Sequence, residues 1–244
     1  MVITSKSNQL IKTILQLSEK KYRKLLGLYI VEGIKPVNEC IKAGCEIERI
    51  VCTQERAVEY PDASVVSDAV FKSVSEEKTP QGVLAVVKIP VTKIEPPEGN
   101  CLLLDCLQDP GNLGTIIRCA NAAGYESVYL INCTDPYSPK AVRASMSGIF
   151  FVDIRSGTRE EILAALEGVP LVCADMNGED IFSFTPPEKF CLCIGNEGGG
   201  ISEEVAKAAK YTVKIPMRQT CESLNAAVSA GIAMYVLKNN AKKR

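Results

Sequence analysis

Polar residues that could take part in chemistry are concentrated in three short segments of the second half of the chain. The first, residues 104–118, reads LDCLQDPGNLGTIIR. Asn112 can cap the helix that follows the Asp109-Pro110-Gly111 turn, and Gly114 allows another backbone or a ligand to approach closely. Arg118 lies in an otherwise apolar helix, where a buried guanidinium would need a partner. A structural ion pair is one interpretation, and a functional role beside Asn112 is the one we favour.

The second segment, residues 194–202, reads IGNEGGGIS and has four glycines within six residues. Such a backbone can wrap closely around a ligand. The spacing matches neither a Walker loop nor the GxGxxG dinucleotide fingerprint, so a phosphate cradle is not predicted. An ordinary flexible turn would have the same glycines, and Glu197 is the residue that makes a site the better interpretation.

The third segment, residues 215–225, reads IPMRQTCESLN and joins a predicted buried strand to the last helix. Ser223 or Asn225 could simply cap that helix. The two side chains could equally fix a ligand enclosed by apolar neighbours, because ligand sites are mostly apolar with a few well-placed polar groups. The enclosing residues would be Ile215, Met217 and Leu224.

The chain contains no histidine. Nucleophile systems that depend on histidine are therefore excluded, as are mixed Cys/His zinc sites. Proton transfer would have to use a carboxylate, Lys, Tyr, Cys, Arg or water. The 11 cysteines include no CxxC pair, and we interpret them as reduced thiols buried as small hydrophobic groups. No metal is expected.

These segments need a scaffold, and the hydrophobic pattern predicts one in two parts. Residues 88–100 contain three prolines and a glycine, a composition typical of a linker. We predict a small α/β domain over residues 1–92 and a larger domain over residues 98–244. The first would contain helices at 6–19 and 32–43 and strands at 28–31, 50–52 and 83–89.

After the linker, apolar strands alternate with helices. Strands are predicted at 101–104, 128–131, 150–152, 171–174, 190–194 and 213–215, and helices at 112–123, 139–147, 159–167, 202–210 and 224–238. Near-continuous apolar strands in such an alternation indicate a parallel sheet covered by helices on both faces. Ligands of open parallel sheets bind beyond the carboxyl ends of the strands, where all three polar segments lie.

The composition is that of an ordinary globular protein, with 46% hydrophobic and 23% charged residues and a formal net charge of −1. No apolar run is long enough for a membrane span, and residues 1–6 lack the apolar region of a secretory signal. We therefore expect a cytoplasmic protein. The net charge gives no nucleic-acid signature, and the basic cluster at residues 20–24 is typical of a solvated helix face.

In their order and spacing, the three segments strongly resemble motifs 1, 2 and 3 of the SpoU family of RNA methyltransferases, in the SPOUT superfamily. The resemblance covers residues 101–237 and is carried by DPGNLGTIIR, IGNEGGGIS and IPMRQTCESLNAA. Residues 1–90 more weakly resemble the ribosomal-protein-like substrate-binding domain that precedes many SpoU domains. The matching pieces are Asn8, Tyr22-Arg23, Val31-Glu32-Gly33 and Thr79-Pro80-Gln81-Gly82. Gln219 and Ser147 depart from the family, since glycine is common at both positions.

The resemblance implies a small N-terminal α/β domain that binds substrate and a C-terminal SPOUT domain with a parallel sheet and a trefoil knot. It implies a homodimer that uses S-adenosyl-L-methionine to methylate a ribose 2′-hydroxyl of RNA, and it favours ribosomal RNA over transfer RNA. The cofactor contacts would be Gly195, Ile215, Met217 and Leu224. The catalytic set would be Arg118, Asn112, Glu197, Ser223 and Asn225. RNA contacts are expected from Arg23, Lys24, Gln81, Lys140 and Arg143.

The role of Arg118 can be narrowed by its chemistry. In the family the matching residue is usually assigned as catalytic, often as the base. A guanidinium only donates hydrogen bonds and stays protonated in proteins. We therefore interpret Arg118 as a clamp on the phosphate beside the target ribose.

Two other functions fit parts of the sequence. A non-catalytic RNA-binding protein could have kept the fold, but the complete polar set argues against it. A dinucleotide oxidoreductase would need a glycine fingerprint with an acidic residue about twenty positions further on, and the chain has no such fingerprint.

Overall fold

Two β-sheets organise the part of the chain that the computed structural model describes, residues 2–241. The strands of the first sheet are β1 (Leu28–Glu32), β2 (Ile47–Thr53), β3 (Ser64–Val66) and β4 (Val83–Lys88). Their order is β1-β4-β2-β3, with β4 antiparallel to both β1 and β2, and β3 parallel to β2. The accompanying helices are α1 (Gln9–Gln16), α2 (Lys20–Leu26), α3 (Ile34–Lys42) and α4 (Asp68–Val74).

The second sheet is wholly parallel, in the order β10-β8-β9-β5-β6-β7. Its strands are β5 (Cys101–Asp105), β6 (Ser127–Ile131), β7 (Asp153–Gly157), β8 (Leu171–Asp180), β9 (Cys191–Ile194) and β10 (Tyr211–Lys214). The helices of this half are α5 (Pro110–Ala123), α6 (Pro139–Ser145), α7 (Arg159–Ala165), α8 (Glu203–Ala208) and α9 (Ala226–Ala241). The predicted parallel sheet is confirmed.

Helices cover both faces of this sheet. β5, β6 and β9 are buried along their whole length, as expected for central parallel strands. Alternate residues of β5 enter different core clusters, Leu102 and Leu104 on one face and Cys101 and Leu103 on the other. The near-continuous apolar runs in the sequence therefore have a direct cause, because each side chain has a helix-covered face to enter.

The start of α5 differs from the prediction. The Asp109 side chain accepts a hydrogen bond from the Asn112 backbone N–H at 2.8 Å, and Pro110 occupies the first helical position. Asp109, not Asn112, is therefore the cap, and the Asn112 side chain is free for other partners.

Further along α5, a Cβ on Gly114 would lie 2.2 Å from the Ala141 carbonyl oxygen. The close backbone approach predicted for Gly114 is confirmed, and α6 makes it.

Several other elements differ from the prediction. The strand predicted at 150–152 is wrong, because Gly148–Phe150 forms a 3-10 turn and β7 begins at Asp153. α2, β3 and α4 were not predicted, and β8 continues six residues past the predicted end at 174, to Asp180. The hydrophobic patterns of these segments are too short to identify them locally, so strand pairing and packing with distant parts of the chain determine their secondary structure.

The two halves of the molecule share an apolar core. Buried residues from both sheets belong to the same cluster, and the rings of Tyr29 and Tyr137 lie 4.9 Å apart between centroids. Arg23, on α2, forms an ion pair with Asp135 at 2.7 Å. Residues 89–100, which form no helix or strand, connect the sheets.

The last helix, α9, packs against α5 and buries Ala226, Ala230, Ala233 and Leu237. No helix within residues 2–241 has both the length and the apolar character needed to cross a membrane. The trefoil knot, which the resemblance implies for the C-terminal part of the chain, stays a prediction.

Candidate active site

A cavity of about 200 Å³ lies at the carboxyl ends of β9 and β10 and beside the middle of β8. The second and third polar segments both line it, through Gly195, Glu197, Ile215, Met217, Ser223 and Leu224. Sequence order alone would not join these residues, but parallel strands end at the same edge of a sheet. The structure therefore brings all four predicted cofactor-contacting residues to the wall of one cavity.

The glycine-rich loop beside this cavity is closely packed. A Cβ on Gly195 would lie 2.2 Å from the carbonyl carbon of Gly200, so only glycine fits. Asn196 and Gly200 exchange backbone hydrogen bonds of 2.8 and 2.9 Å. The Asn196 side-chain oxygen also accepts from the N–H groups of Gly198 and Gly199, at 2.9 and 3.0 Å. The loop is thus an internally bonded turn with a defined shape.

Asp105 holds the far end of this loop. Its carboxylate is fully buried at the end of β5 and accepts from the Ser202 backbone N–H at 2.8 Å and from the Ser202 hydroxyl. The Arg159 guanidinium lies 3.4 Å away. Burial by itself would raise the pKa of Asp105, but the hydrogen bonds from Ser202 and Arg159 outweigh it and lower the pKa below its ordinary value. The carboxylate is therefore ionised at neutral pH and anchors the loop.

Asn112, Glu197 and Asn225 form a hydrogen-bonded chain that joins all three polar segments. Asn112 Nδ2 donates to Glu197 Oε1 at 2.8 Å, and Asn112 Oδ1 accepts from Asn225 Nδ2 at 2.9 Å. Asn225 also caps α9, because its side-chain oxygen accepts from the N–H groups of Ala227 and Val228 at 2.9 and 3.2 Å. The capping role of Asn225 is therefore confirmed, and its role in fixing a ligand stays a prediction. Ser223 lies on the cavity wall.

Arg118 lies in a different environment from the one predicted. The sequence indicated a buried guanidinium within an apolar helix, whereas the side chain is exposed to solvent. The reason is geometric: α5 turns its apolar residues inward, and Arg118 falls on its outer face. No residue among 2–241 forms a hydrogen bond or an ion pair with this guanidinium, and it does not line the cavity of its own chain.

Arg23 was predicted to contact RNA, and its environment contradicts that role. Its side chain is only 4% exposed. Nε donates to Asp135 at 2.8 Å, and Nη1 donates to the carbonyl oxygens of Leu17 and Ser18 at 2.7 and 2.8 Å. Arg23 therefore ties α2 to the second sheet and has no surface left for a phosphate. Its neighbour Lys24 is exposed.

The other predicted RNA contacts are at the surface but have protein partners. Lys140 pairs with Asp109 at 2.7 Å, and Arg143 lies 3.3 Å from Glu76 and 3.5 Å from Glu77. These pairs are exposed and therefore weak, so an RNA phosphate could replace the carboxylates. The Gln81 side-chain oxygen accepts from the Ile34 N–H at 2.9 Å.

Some residues of the site were not selected from the sequence. Asp105 and Asn196 shape the glycine-rich loop, and Asp175 and Met176 line the cavity from the extended part of β8. A carboxylate that ends an apolar strand was a usable signal for Asp105. The sequence contained no such signal for Asp175 and Met176, because the predicted strand ended at residue 174.

The cysteines are free thiols. Six of them are buried, as the interpretation of small hydrophobic groups predicts, whereas four are half-buried and Cys221 is exposed. Four of the buried ones, Cys101, Cys173, Cys191 and Cys193, share one face of the parallel sheet. Within residues 2–241 no group of three or more His, Cys, Asp or Glu side chains is arranged to hold a metal ion.

Comparison with known families agrees with the two halves of the fold. Residues 99–235 match the SpoU rRNA Methylase family, and residues 8–85 match the MRM3-like substrate binding domain. The first match covers the second sheet and the cavity, and the second covers the first sheet. The strong resemblance of the C-terminal part and the weaker resemblance of the N-terminal part therefore correspond to two separate family matches.

Individual relatives span nearly the whole chain. A 23S rRNA (guanosine(2553)-2′-O)-methyltransferase of Bacillus subtilis (strain 168) is 31% identical, over 97% of this chain and 98% of its own. The AdoMet-bound rRNA methyltransferase of Sinorhizobium meliloti superposes with a TM-score of 0.90 at 28% identity, covering 98% and 97% of the two chains. The SpoU methyltransferase AviRb of Streptomyces viridochromogenes, in complex with AdoMet, superposes with a TM-score of 0.86 at 26% identity. The match covers 95% of this chain and 97% of AviRb. This chain belongs to the SpoU rRNA methylase family.

Proposed function

We propose that this chain transfers a methyl group from S-adenosylmethionine to a ribose 2′-hydroxyl in RNA, with ribosomal RNA as the substrate. The observation that carries the proposal is that the second and third polar segments line one cavity, and that the first segment is tied to both through the hydrogen bonds of Asn112 with Glu197 and Asn225. The relative from Bacillus subtilis is named as a 23S rRNA 2′-O-methyltransferase, which favours ribosomal over transfer RNA.

The residues around the cavity fit the methyl donor. Ile215, Met217 and Leu224 provide an apolar wall for a flat base, and the Gly195 loop offers backbone groups at close range. Asp175 and Glu197 also line the cavity, and their carboxylates suit the positive charges of an ammonium and a sulfonium. When bound, the donor supplies an electrophilic methyl group on sulfur, so that the S–CH₃ bond breaks as the O–CH₃ bond forms.

The protein's part in this displacement is alignment and charge. Holding oxygen, carbon and sulfur in line lowers the barrier without any metal. Asn112, Glu197, Ser223 and Asn225 supply the polar edge at which the ribose is oriented. Arg118 binds the phosphate next to that ribose, and the hydroxyl proton leaves through that phosphate to water. The guanidinium does not act as the base, because it keeps its own proton.

A homodimer explains the exposure of Arg118. On α9, Val228 and Tyr235 are 50% and 53% exposed, and their spacing of seven positions places them on one helix face. A second copy packed on this face would bury both residues and lie beside α5, since α5 and α9 are in contact. Arg118 of one copy would then face the cavity of the other. We assign residues 1–92 to substrate binding, residues 98–244 to catalysis, and the activity to the cytoplasm.

The test is methyl transfer from tritium-labelled S-adenosylmethionine to ribosomal RNA from cells that lack this protein, with transfer RNA in parallel. We expect label in ribosomal RNA at one site that resists alkaline cleavage, as 2′-O-methylation requires. Ribosomal RNA from cells that contain the protein is the control and should accept little label. Label on a base instead of a ribose, or binding of RNA without transfer, would overturn the proposal.

A further inference from the structure

A second cavity, of about 460 Å³, lies between the two halves of the molecule. It shares no lining residue with the cavity at β8, β9 and β10. Val31 and Pro36 line it from the first half, and Val142, Met146 and Phe150 line it from the second. Its volume and mixed apolar and polar walls are those of a small-molecule or nucleotide site, and the methyl transfer proposed above does not use it.

Ser147, in the wall of this cavity, combines backbone strain with a hydroxyl that bonds to no protein group in the described residues. Its φ is 69°, and Met146 before it has a φ of 44°, so two consecutive residues other than glycine adopt the left-handed conformation. Ser147 is 94% buried as a residue. Its hydroxyl has no protein hydrogen-bond partner among residues 2–241, but it is not sealed from solvent, so the oxygen opens onto the cavity. Glycine at this position would relieve the strain. A strained residue whose hydroxyl opens onto a cavity points to a contact with a ligand.

The other polar groups of the cavity define what that ligand must offer. Gln81 uses its side-chain oxygen on the Ile34 N–H, which leaves its amide nitrogen as a donor. The Glu32 carboxylate accepts from Ser75 and from the Glu76 N–H, and its remaining lone pairs can accept from a ligand.

The charges around the cavity indicate that its occupant is neutral. The acidic residues of the wall are Glu32, Glu39, Glu76 and Glu77, whereas the basic ones are Lys35 and Arg143. This excess of carboxylates disfavours a phosphate inside the cavity and favours a neutral group with N–H donors. Arg143 can serve a phosphate at the rim, because its pairs with Glu76 and Glu77 are long and exposed.

We propose that this cavity binds one unstacked nucleobase of the RNA substrate, a base with an exocyclic amino group, and that the Ser147 hydroxyl is one of its hydrogen-bond partners. Unpaired bases are the usual sequence-specific contacts of RNA-binding proteins, and carboxylates accept from exocyclic amino groups. The proposal rests on the proposed function, since it takes RNA to be the substrate. Ser147 is a specificity residue in this scheme and does not touch the reacting atoms.

The experiment measures binding of fluorescein-labelled oligo(A), oligo(C) and oligo(U) to the full-length protein by fluorescence anisotropy. Oligo(A) and oligo(C) should bind at least about fivefold more tightly than oligo(U), the low end of the discrimination expected from good base contacts. Ser147→Gly and Ser147→Ala should both lose this preference. Ser147→Gly should also raise the melting temperature, because it removes strain, whereas Ser147→Ala should not. Ser156→Ala, at an exposed position on β7, is the matched control and should bind like the wild type.

Two results would overturn the inference: equal binding of all three oligonucleotides by the wild type, or an unchanged base preference in Ser147→Gly. A structural role alone predicts the rise in melting temperature without a change in preference. The methyl-transfer assay on the same protein separates this inference from the proposed function. Transfer without base preference contradicts the nucleobase site alone, and base preference without transfer contradicts the proposed function alone.

Discussion

Asn112 donates a hydrogen bond from Nδ2 to Oε1 of Glu197 at 2.8 Å, and this bond connects the start of α5 to the glycine-rich loop 85 positions later. The amide can serve this contact only because Asp109 takes over the capping of α5. Its oxygen then accepts from Asn225, so one amide fixes the relative positions of three segments. Catalysis by alignment is sensitive to such positioning, because a misplacement of about 1 Å can cost about 100-fold in rate.

Two substitutions at Asn225 should separate its two roles. Asn225→Asp keeps the oxygen that caps α9 but loses the donor to Asn112, so kcat should fall by at least about tenfold with stability unchanged. Asn225→Ala loses both, and should also lower the free energy of unfolding by about 1 kcal/mol. Urea unfolding and methyl-transfer kinetics measure the two effects. Wild-type kcat in Asn225→Asp would show that the bond to Asn112 is not needed.

Replacement of Arg118 should abolish turnover while cofactor binding survives. The guanidinium is exposed and does not line the cavity, so Arg118→Ala should bind S-adenosylmethionine with wild-type affinity in calorimetry. Loss of a charged group that orients the substrate should lower kcat by at least about 100-fold. Arg49→Ala, at another exposed arginine, is the control. Near-wild-type methylation by Arg118→Ala would remove this residue from the catalytic set.

The glycine-rich loop offers a matched pair of substitutions. A Cβ on Gly195 would meet the Gly200 carbonyl carbon at 2.2 Å, whereas a Cβ on Gly199 would approach nothing closer than the Asn196 side-chain oxygen, at 3.8 Å. Gly195→Ala should therefore weaken S-adenosylmethionine binding by at least about tenfold, a change of about 1.4 kcal/mol. Gly199→Ala should bind normally. Equal affinities for the two variants, measured by calorimetry, would mean that the cofactor does not depend on this turn.

The stability of the protein should depend on the ionisation of Asp105. The pKa of Asp105 in the folded state lies below its ordinary value of 3.8, so the unfolded state binds the proton first as the pH falls. The stabilisation is complete above the ordinary pKa and is lost as the pH falls through the lower, folded-state pKa. Asp105→Asn should cost about 2 kcal/mol at neutral pH, the worth of hydrogen bonds to a charged group.

Urea unfolding at about pH 6 and about pH 3 tests this dependence by linkage. The wild type should lose more free energy of unfolding between the two values than Asp105→Asn does, since the variant has no carboxylate to protonate. Other carboxylates titrate equally in both proteins and cancel in the difference. An identical pH dependence in the two proteins would contradict the lowered pKa.

The parts of the site that could be predicted from the sequence are those whose position follows from the local hydrophobic pattern and from the geometry of a parallel sheet. β5 and β9 are fully buried, so their apolar runs identified them, and the polar residues that follow them had to meet at one edge. Arg118 was harder, because α5 is rich in small residues and its apolar face has no sharp boundary in the sequence. The exposed side of α5 is set by packing against α6 and α9, which no local window contains.

Residues whose partners lie in the other half of the molecule could not be positioned from the sequence. Asp135 is 112 positions from Arg23, and the basic cluster around Arg23 gave no sign that one of its members is buried. The same limit applies to Ser147, whose strain and unpaired hydroxyl depend on the contact between the two halves of the molecule. Sequence pattern therefore identified the chemistry of the site better than it identified the residues between the domains.

Arg23 and Lys24 are adjacent on α2 and should respond in opposite ways to alanine substitution. Arg23→Ala leaves Asp135 without its partner, and the Asp135 side chain is only 12% exposed. Removal of one member of a buried ion pair lowers the free energy of unfolding by about 3 kcal/mol or more. Its RNA affinity, measured at a temperature where it stays folded, should be unchanged. Lys24→Ala should keep its stability and lose RNA affinity, with a shallower dependence of log Kd on log salt concentration, because one phosphate contact fewer releases fewer counterions. If Arg23→Ala instead reduced the salt dependence without loss of stability, Arg23 would be an RNA contact and its buried pairing with Asp135 would not persist in solution.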